Sequence, residues 1–148
     1  MSFLEKVSAR DYNKIKFKVT KTNHLVINAK INGEKGSFIL DTGASNSCVG
    51  FDVVEQFKLH AIDSMTLAAG AGATDMITKV SHENELTLGR WKTNGFEIVI
   101  FDLTHVNTAL KQHKSKPVDG IIGADILIKG DAIIDYSTQT LYLKKLSK

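Results

Sequence analysis

From Asn13 to Lys21 the chain reads NKIKFKVTK, in which Ile15, Phe17 and Val19 alternate with polar residues. A period of two belongs to a strand with one face buried. HLVINAKING (24–33) repeats it and ends at Asn32-Gly33, a dipeptide suited to tight hairpin turns because both residues tolerate positive φ. The returning strand is KGSFILD (35–41). VGFDVVEQFKL (49–59) changes to the spacing of a short amphipathic helix. MTLAAG (65–70) and ATDMITKV (73–80) flank a centre of small residues, the pattern of a hairpin with a slender tip. ENELTLG (83–89) and WKTNGFEIVIFDL (91–103) form another strand pair, with Gly89 and Asn94-Gly95 marking turns. LTHVNTALKQHKSK (103–116) is polar enough for a loop with one helical turn, and Pro117, the only proline, ends it. VDGIIGAD, a short helical ILIKG and the paired strands DAIIDY and TLYLKK complete the chain.

Many short strands with glycine-marked turns predict a mostly β domain, closed or strongly curved into a barrel. The 148 residues suit one domain with a real core, and no linker, low-complexity tract or repeat divides them. The expected organisation is an N-terminal extension over 1–13 and a single domain over 14–148.

Composition narrows the function. No stretch approaches the length of a membrane-spanning helix. The start, MSFLEKVSARDYNK, carries charge where a secretory signal would have its apolar run, so the expected setting is cytoplasmic. The net charge is +3, but the basicity gathers at the two ends and in KQHKSK (111–116). Without a concentrated basic face interleaved with aromatics, nucleic acid is not an expected partner. A lone cysteine, Cys48, rules out an internal disulfide and reads as a buried thiol. The five histidines form no HExxH pair and no metal triad, so no metal or organic cofactor is expected. Ser45 and Ser47 lack a GxSxG elbow. The AAGAGA run (68–73) has no following Lys-Ser/Thr, as a phosphate loop would.

Carboxylate chemistry remains. Residues 39–46 read ILDTGASN, which places Asp41 after an apolar strand and before a hydroxyl and a glycine. A strand running into a turn would use the same residues. One such carboxylate does little alone, whereas two sharing a proton act as base and acid on a water and a carbonyl. The chain holds only one such motif.

Ile39-Leu40-Asp41-Thr42-Gly43-Ala44-Ser45, then LAAGAGAT (67–74), then Ile121-Ile122-Gly123-Ala124-Asp125 before a short helix, resemble in order the retropepsin-like, retroviral-type aspartic proteases and their bacterial members. The resemblance runs from about Lys14 to Lys144. It implies an all-β, closed retropepsin-like acid-protease barrel with one or two short helices and a flap hairpin. It also implies an endopeptidase that acts as a homodimer on an extended peptide or unfolded protein. Asp41, Thr42 and Gly43 would be the catalytic triplet. Ala44 would line the cleft floor, and Gly70, Ala71 and Gly72 the flap tip that closes over the substrate. Ile121, Ile122 and Gly123 would give structural support, with Gly123 letting backbone segments cross. Asp125 is expected to cap the short helix that follows it or to lie on the surface, and Asp135 to be a turn or hydrogen-bonding residue. The alternative reading is a binding or scaffold module that keeps the fold with little or no proteolysis.

Overall fold

The hairpin at Asn32-Gly33 anchors the architecture. The structure is a computed structural model describing residues 11–63 and 78–146. β3 (Leu25–Ile31) pairs along its full length with β4 (Glu34–Leu40). Asn32 and Gly33 turn between them with φ of 53° and 84°. Before β3 come β1 (Tyr12–Lys16) and β2 (Lys18–Val19). After β4 follow β5 (Cys48–Val49), β6 (Ile62–Asp63), β7 (Lys79–Leu88), β8 (Trp91–Ile100), β9 (Gly120–Ile122), β10 (Ile133–Asp135) and β11 (Thr140–Lys144). Two α-helices are described, α1 (Thr104–Gln112) and α2 (Ala124–Lys129).

The larger sheet runs β2-β3-β4-β9-β5-β8-β7-β6, and an extra pairing of β3 with β7 closes six of these strands into a barrel. Closure removes the free edges that an open sheet would expose. β4 and β9 are parallel neighbours, with Phe38 opposite Gly120, Ile39 opposite Ile121 and Leu40 opposite Ile122. Alternation decides what they bury. Phe38, Leu40 and Ile122 point into the barrel core with Ile27, Phe57 and Ile98. Ile39 packs outside, with Leu110 of α1 and Val118, while Val26, Val106 and Ile121 flank the cluster. β4 is therefore apolar on both faces at its end, which explains why FIL reads as a continuous run. A three-stranded sheet, β1-β11-β10, joins the barrel where Trp91 Nε1 donates to the Lys144 carbonyl at 3.0 Å.

Three expectations change. Residues 49–59 form a 3-10 turn, Phe51–Val53, and further turns rather than an amphipathic helix. Lys58 takes a φ of 56°, which ends helical geometry and lets Phe57 and Leu59 both face inward. Asn94-Gly95 lies inside β8, not at a turn. Gly95 has a φ of 67° where the β7–β8 register shifts, and the buried Asn84 amide donates to the carbonyls of Ser81 and Phe96 there. The insertion after β8 is a nine-residue helix rather than a single turn. Its apolar positions are few, but Leu103, Val106 and Leu110 have helical spacing, and Asn107 clips the helix to both backbone groups of Val118.

No described helix is long and apolar enough to cross a membrane.

Candidate active site

Asp41 is the first residue beyond β4, and its N–H still donates to the Ile122 carbonyl at 3.0 Å, extending the β4–β9 ladder by one bond. Just past this anchor the chain turns outward. Gly43 N–H donates to Asp41 Oδ1 at 2.8 Å, and Ala44 N–H to the Asp41 carbonyl at 3.2 Å. Asp41, Thr42 and Gly43 are exposed and Ala44 is half-buried. A carboxylate thus stands in solvent at the end of a strand buried on both faces, with one oxygen held by a backbone donor. No donor among the described residues reaches its other oxygen, Oδ2.

The second motif lies against this loop. Ala124 N–H donates to the Ala44 carbonyl at 2.7 Å. Gly123 passes so close that a Cβ there would sit 2.6 Å from the Ala44 oxygen. Ile122 is buried in the barrel, and Ile121 lies half-buried on the α1 side. The exposed loop from Asp41 to Ala44 therefore rests on the largely buried Ile121–Gly123 segment. Gly70, Ala71 and Gly72 lie outside the described residues.

Two residues of this region carry more than their sequence suggested. Ser47 is completely buried. Its hydroxyl donates to Asp125 Oδ1 at 2.7 Å and accepts from Gly123 N–H at 2.9 Å, while its own N–H meets the Asp125 carboxylate at 3.0 and 3.1 Å. Asp125 takes one N–H of the α2 first turn, that of Ile126 at 2.9 Å, but directs most of its capacity to Ser47. Helix capping describes only a small part of what it does. The signal for Ser47 was a small hydroxyl residue just before an apolar pair in an otherwise polar loop; nothing local named its partner.

Other candidates separate cleanly. Burial pushes the Cys48 thiol up to about 12; Asp125 and Asp41 add to the rise, and the Ile121 backbone partly opposes it. A thiol so reluctant to ionise is no nucleophile at neutral pH. Asp135, the last residue of β10, accepts from the Ser137 and Thr138 hydroxyls of the turn that follows, which hold its carboxyl below the usual range. Beside the loop runs a mainly apolar trough of about 620 Å³ lined by Thr42, Ala124, Leu127, Ile128, Ala132 and Ile134, with Asp131 as its one charged residue. Ile128 there is 75% exposed. A separate hollow of about 330 Å³ between the 3-10 turn and α1 contains none of the motif residues.

Residues 27–126 match the family model described as aspartyl protease. Three solved structures share the fold. A retropepsin-like aspartic protease from Rickettsia conorii is 17% identical, covering 91% of each chain, with a TM-score of 0.62. The retroviral protease-like domain of Ddi1 from Leishmania major is 18% identical over 88% of this chain and 97% of that one, with a TM-score of 0.57. EIAV protease complexed with the inhibitor HBY-793 is 18% identical over 75% and 91%, with a TM-score of 0.55. Among curated proteins, no sequence match is found.

Proposed function

The chain belongs to the aspartyl protease family, and from that premise we propose that it is an endopeptidase whose working unit is a homodimer, each copy supplying one Asp41. The observation that carries this reading is the exposed Asp41 carboxylate, held at Oδ1 by Gly43 and mounted on a doubly buried strand, in a chain with a single such motif. The apolar trough that includes Thr42 supports it, since a second copy seated there would bring its own Asp41 to the first.

Two carboxylates face to face hold one proton between them. The ionised member takes a proton from a water, whose oxygen attacks the scissile carbonyl carbon. The protonated member gives its proton to the carbonyl oxygen, so the product is a neutral gem-diol. In collapse the C–N bond breaks, the amine nitrogen takes a proton from one carboxyl, and a diol hydroxyl returns its proton to the other. Gly43 N–H, bound to Oδ1, keeps the carboxylate plane fixed through both steps. An extended polypeptide is the substrate that fits this chemistry, with Ala44 on the cleft floor.

The test uses subunit exchange. Wild-type and Asp41→Asn chains carrying different tags are mixed, and the heterodimer is isolated and assayed on a peptide library from pH 3 to 8. A shared dyad makes the heterodimer as inactive as the mutant homodimer. Half the wild-type rate would mean that each copy works alone. No cleavage by folded, dimeric wild-type protein would favour the scaffold reading.

A further inference from the structure

The loop from Asp41 to Ser47 is tied at both ends. Its near end is the bond from Asp41 N–H to the Ile122 carbonyl. Its far end is Ser47: its Oγ–H and N–H both donate to Asp125, Gly123 N–H donates to Ser47 Oγ, and Val99 N–H of β8 donates to the Ser47 carbonyl at 3.1 Å. Among the described residues, every group hydrogen-bonded to the Asp125 carboxylate is a donor, Ile126 N–H included. Such a site matches a carboxylate and mismatches an amide, whose NH₂ would confront a backbone N–H. Between these ends the Ala44 carbonyl accepts from Ala124 N–H at 2.7 Å, while the side chains of Asp41, Thr42, Ser45 and Asn46 are exposed.

We infer that Asp125, through Ser47, is a positioning residue that sets where the Asp41 carboxylate stands. This rests on the proposed proteolytic function. Among the described residues the Asp125 side chain bonds to Ser47 and Ile126 N–H and not to Asp41, and it does not line the trough, so its effect on Asp41 passes through the loop. Its place on the first turn of α2 adds a consequence. Leu127 and Ile128 of the same helix line the trough. The brace therefore holds the loop that bears the acid in fixed relation to the helix on which a second copy would rest. A misplacement of about 1 Å costs on the order of a hundredfold in rate, so losing the brace should register in turnover while leaving peptide affinity nearly unchanged.

Asp125→Asn, which keeps shape, and Ser47→Ala, which removes one hydroxyl, are compared with Ser47→Thr, which keeps it. Peptide cleavage should show kcat lower by roughly ten- to a hundredfold in the first two with KM within about twofold, and Ser47→Thr should recover most of the loss relative to Ser47→Ala. Amide hydrogen exchange gives a reading independent of activity. Exchange at the Asp41 and Gly43 amides should accelerate at least about tenfold in Asp125→Asn, while Ile98 in the barrel wall keeps its protection. Unchanged exchange at Asp41 and Gly43 overturns the inference, as does unchanged kcat in an active enzyme. Loss of the fold in both Asp125→Asn and Ser47→Ala overturns it too, by making the contact a folding determinant. If the exchange result holds and wild type cleaves nothing, the brace stands and the proteolytic reading falls.

Discussion

Replacing Gly123 by alanine would test how tightly the two motifs cross. The added Cβ would meet the Ala44 carbonyl oxygen at 2.6 Å and the Asn46 backbone at 3.1 Å, all of it main chain that cannot swing away. Separating them to ordinary contact moves the Asp41 loop by roughly half an ångström or more and lengthens the 2.7 Å bond from Ala124 N–H to the Ala44 carbonyl. Overpacking of this kind costs about 1–3 kcal/mol and the weakened hydrogen bond about 1 kcal/mol. The backbone at Gly123 is extended, with φ −105° and ψ −168°, so no dihedral strain is added. The narrower unfolded ensemble of alanine returns about 0.4–1 kcal/mol. The expected net loss is about 1–4 kcal/mol, or a fall of roughly 2–15 °C in Tm for a chain of this size. Gly43→Ala is the control. Its Cβ would meet only Asp41 Oδ1 at 3.2 Å, and it should leave stability within about 0.5 kcal/mol. Urea denaturation of both variants, with m-values compared to wild type, measures the difference. A Gly123→Ala protein within 0.5 kcal/mol of wild type would show that the crossing yields easily, and would remove the close approach as the reason for glycine there.

Cys48 should resist a thiol reagent at pH 8 in the folded protein and react fully in urea, because burial holds the thiol at about 12; fast labelling of the native state would contradict this. Ile128→Lys, at a side chain 75% exposed, should leave Tm near wild type yet convert a sedimenting dimer to monomer and abolish cleavage. A dimer unaffected by that change would place the second copy elsewhere. Asp135 is held below its ordinary value by the Ser137 hydroxyl and then the Thr138 hydroxyl, so its contribution is present above about pH 3.9 and is lost as pH falls through the lower folded-state value. Asp135→Asn should accordingly be less stable than wild type at pH 7, with the gap closing in acid; a gap that persists at pH 2 would refute this account.

The two Asn-Gly dipeptides show how far local pattern reaches. Asn32 and Gly33 both take positive φ and make the hairpin. At Asn94-Gly95 only the glycine does, because the buried amide of Asn84 draws the Phe96 carbonyl and bends a continuous strand instead. That amide also accepts from Asn32, a contact between residues 52 apart, which no short window contains. The Asp41 and Gly123 motifs were legible because each packs its chemistry into consecutive residues. Ser47 and Asp125 were not, since each is ordinary in its own neighbourhood and they become partners only when the fold brings together positions 78 apart. Barrel closure is hidden for the same reason: it depends on Lys30 and Ile31 finding Thr87 and Leu86.

The parallel pairing of β4 with β9 has a consequence for synthesis. Asp41 leaves the ribosome well before Ile122, the residue whose carbonyl anchors it, and parallel partners this far apart in sequence are slow to meet. Until β9 and α2 emerge, the loop lacks its bonds to Ile122, Ala124 and Asp125 and keeps only that from Val99 N–H to the Ser47 carbonyl, and the trough lacks every lining residue but Thr42. A nascent or truncated chain ending before residue 120 can carry the complete DTG triplet and still lack the mount that orders it. Peptide-bond cleavage, if it belongs to the finished molecule, is thereby withheld from the unfinished one, next to a ribosome crowded with extended polypeptide.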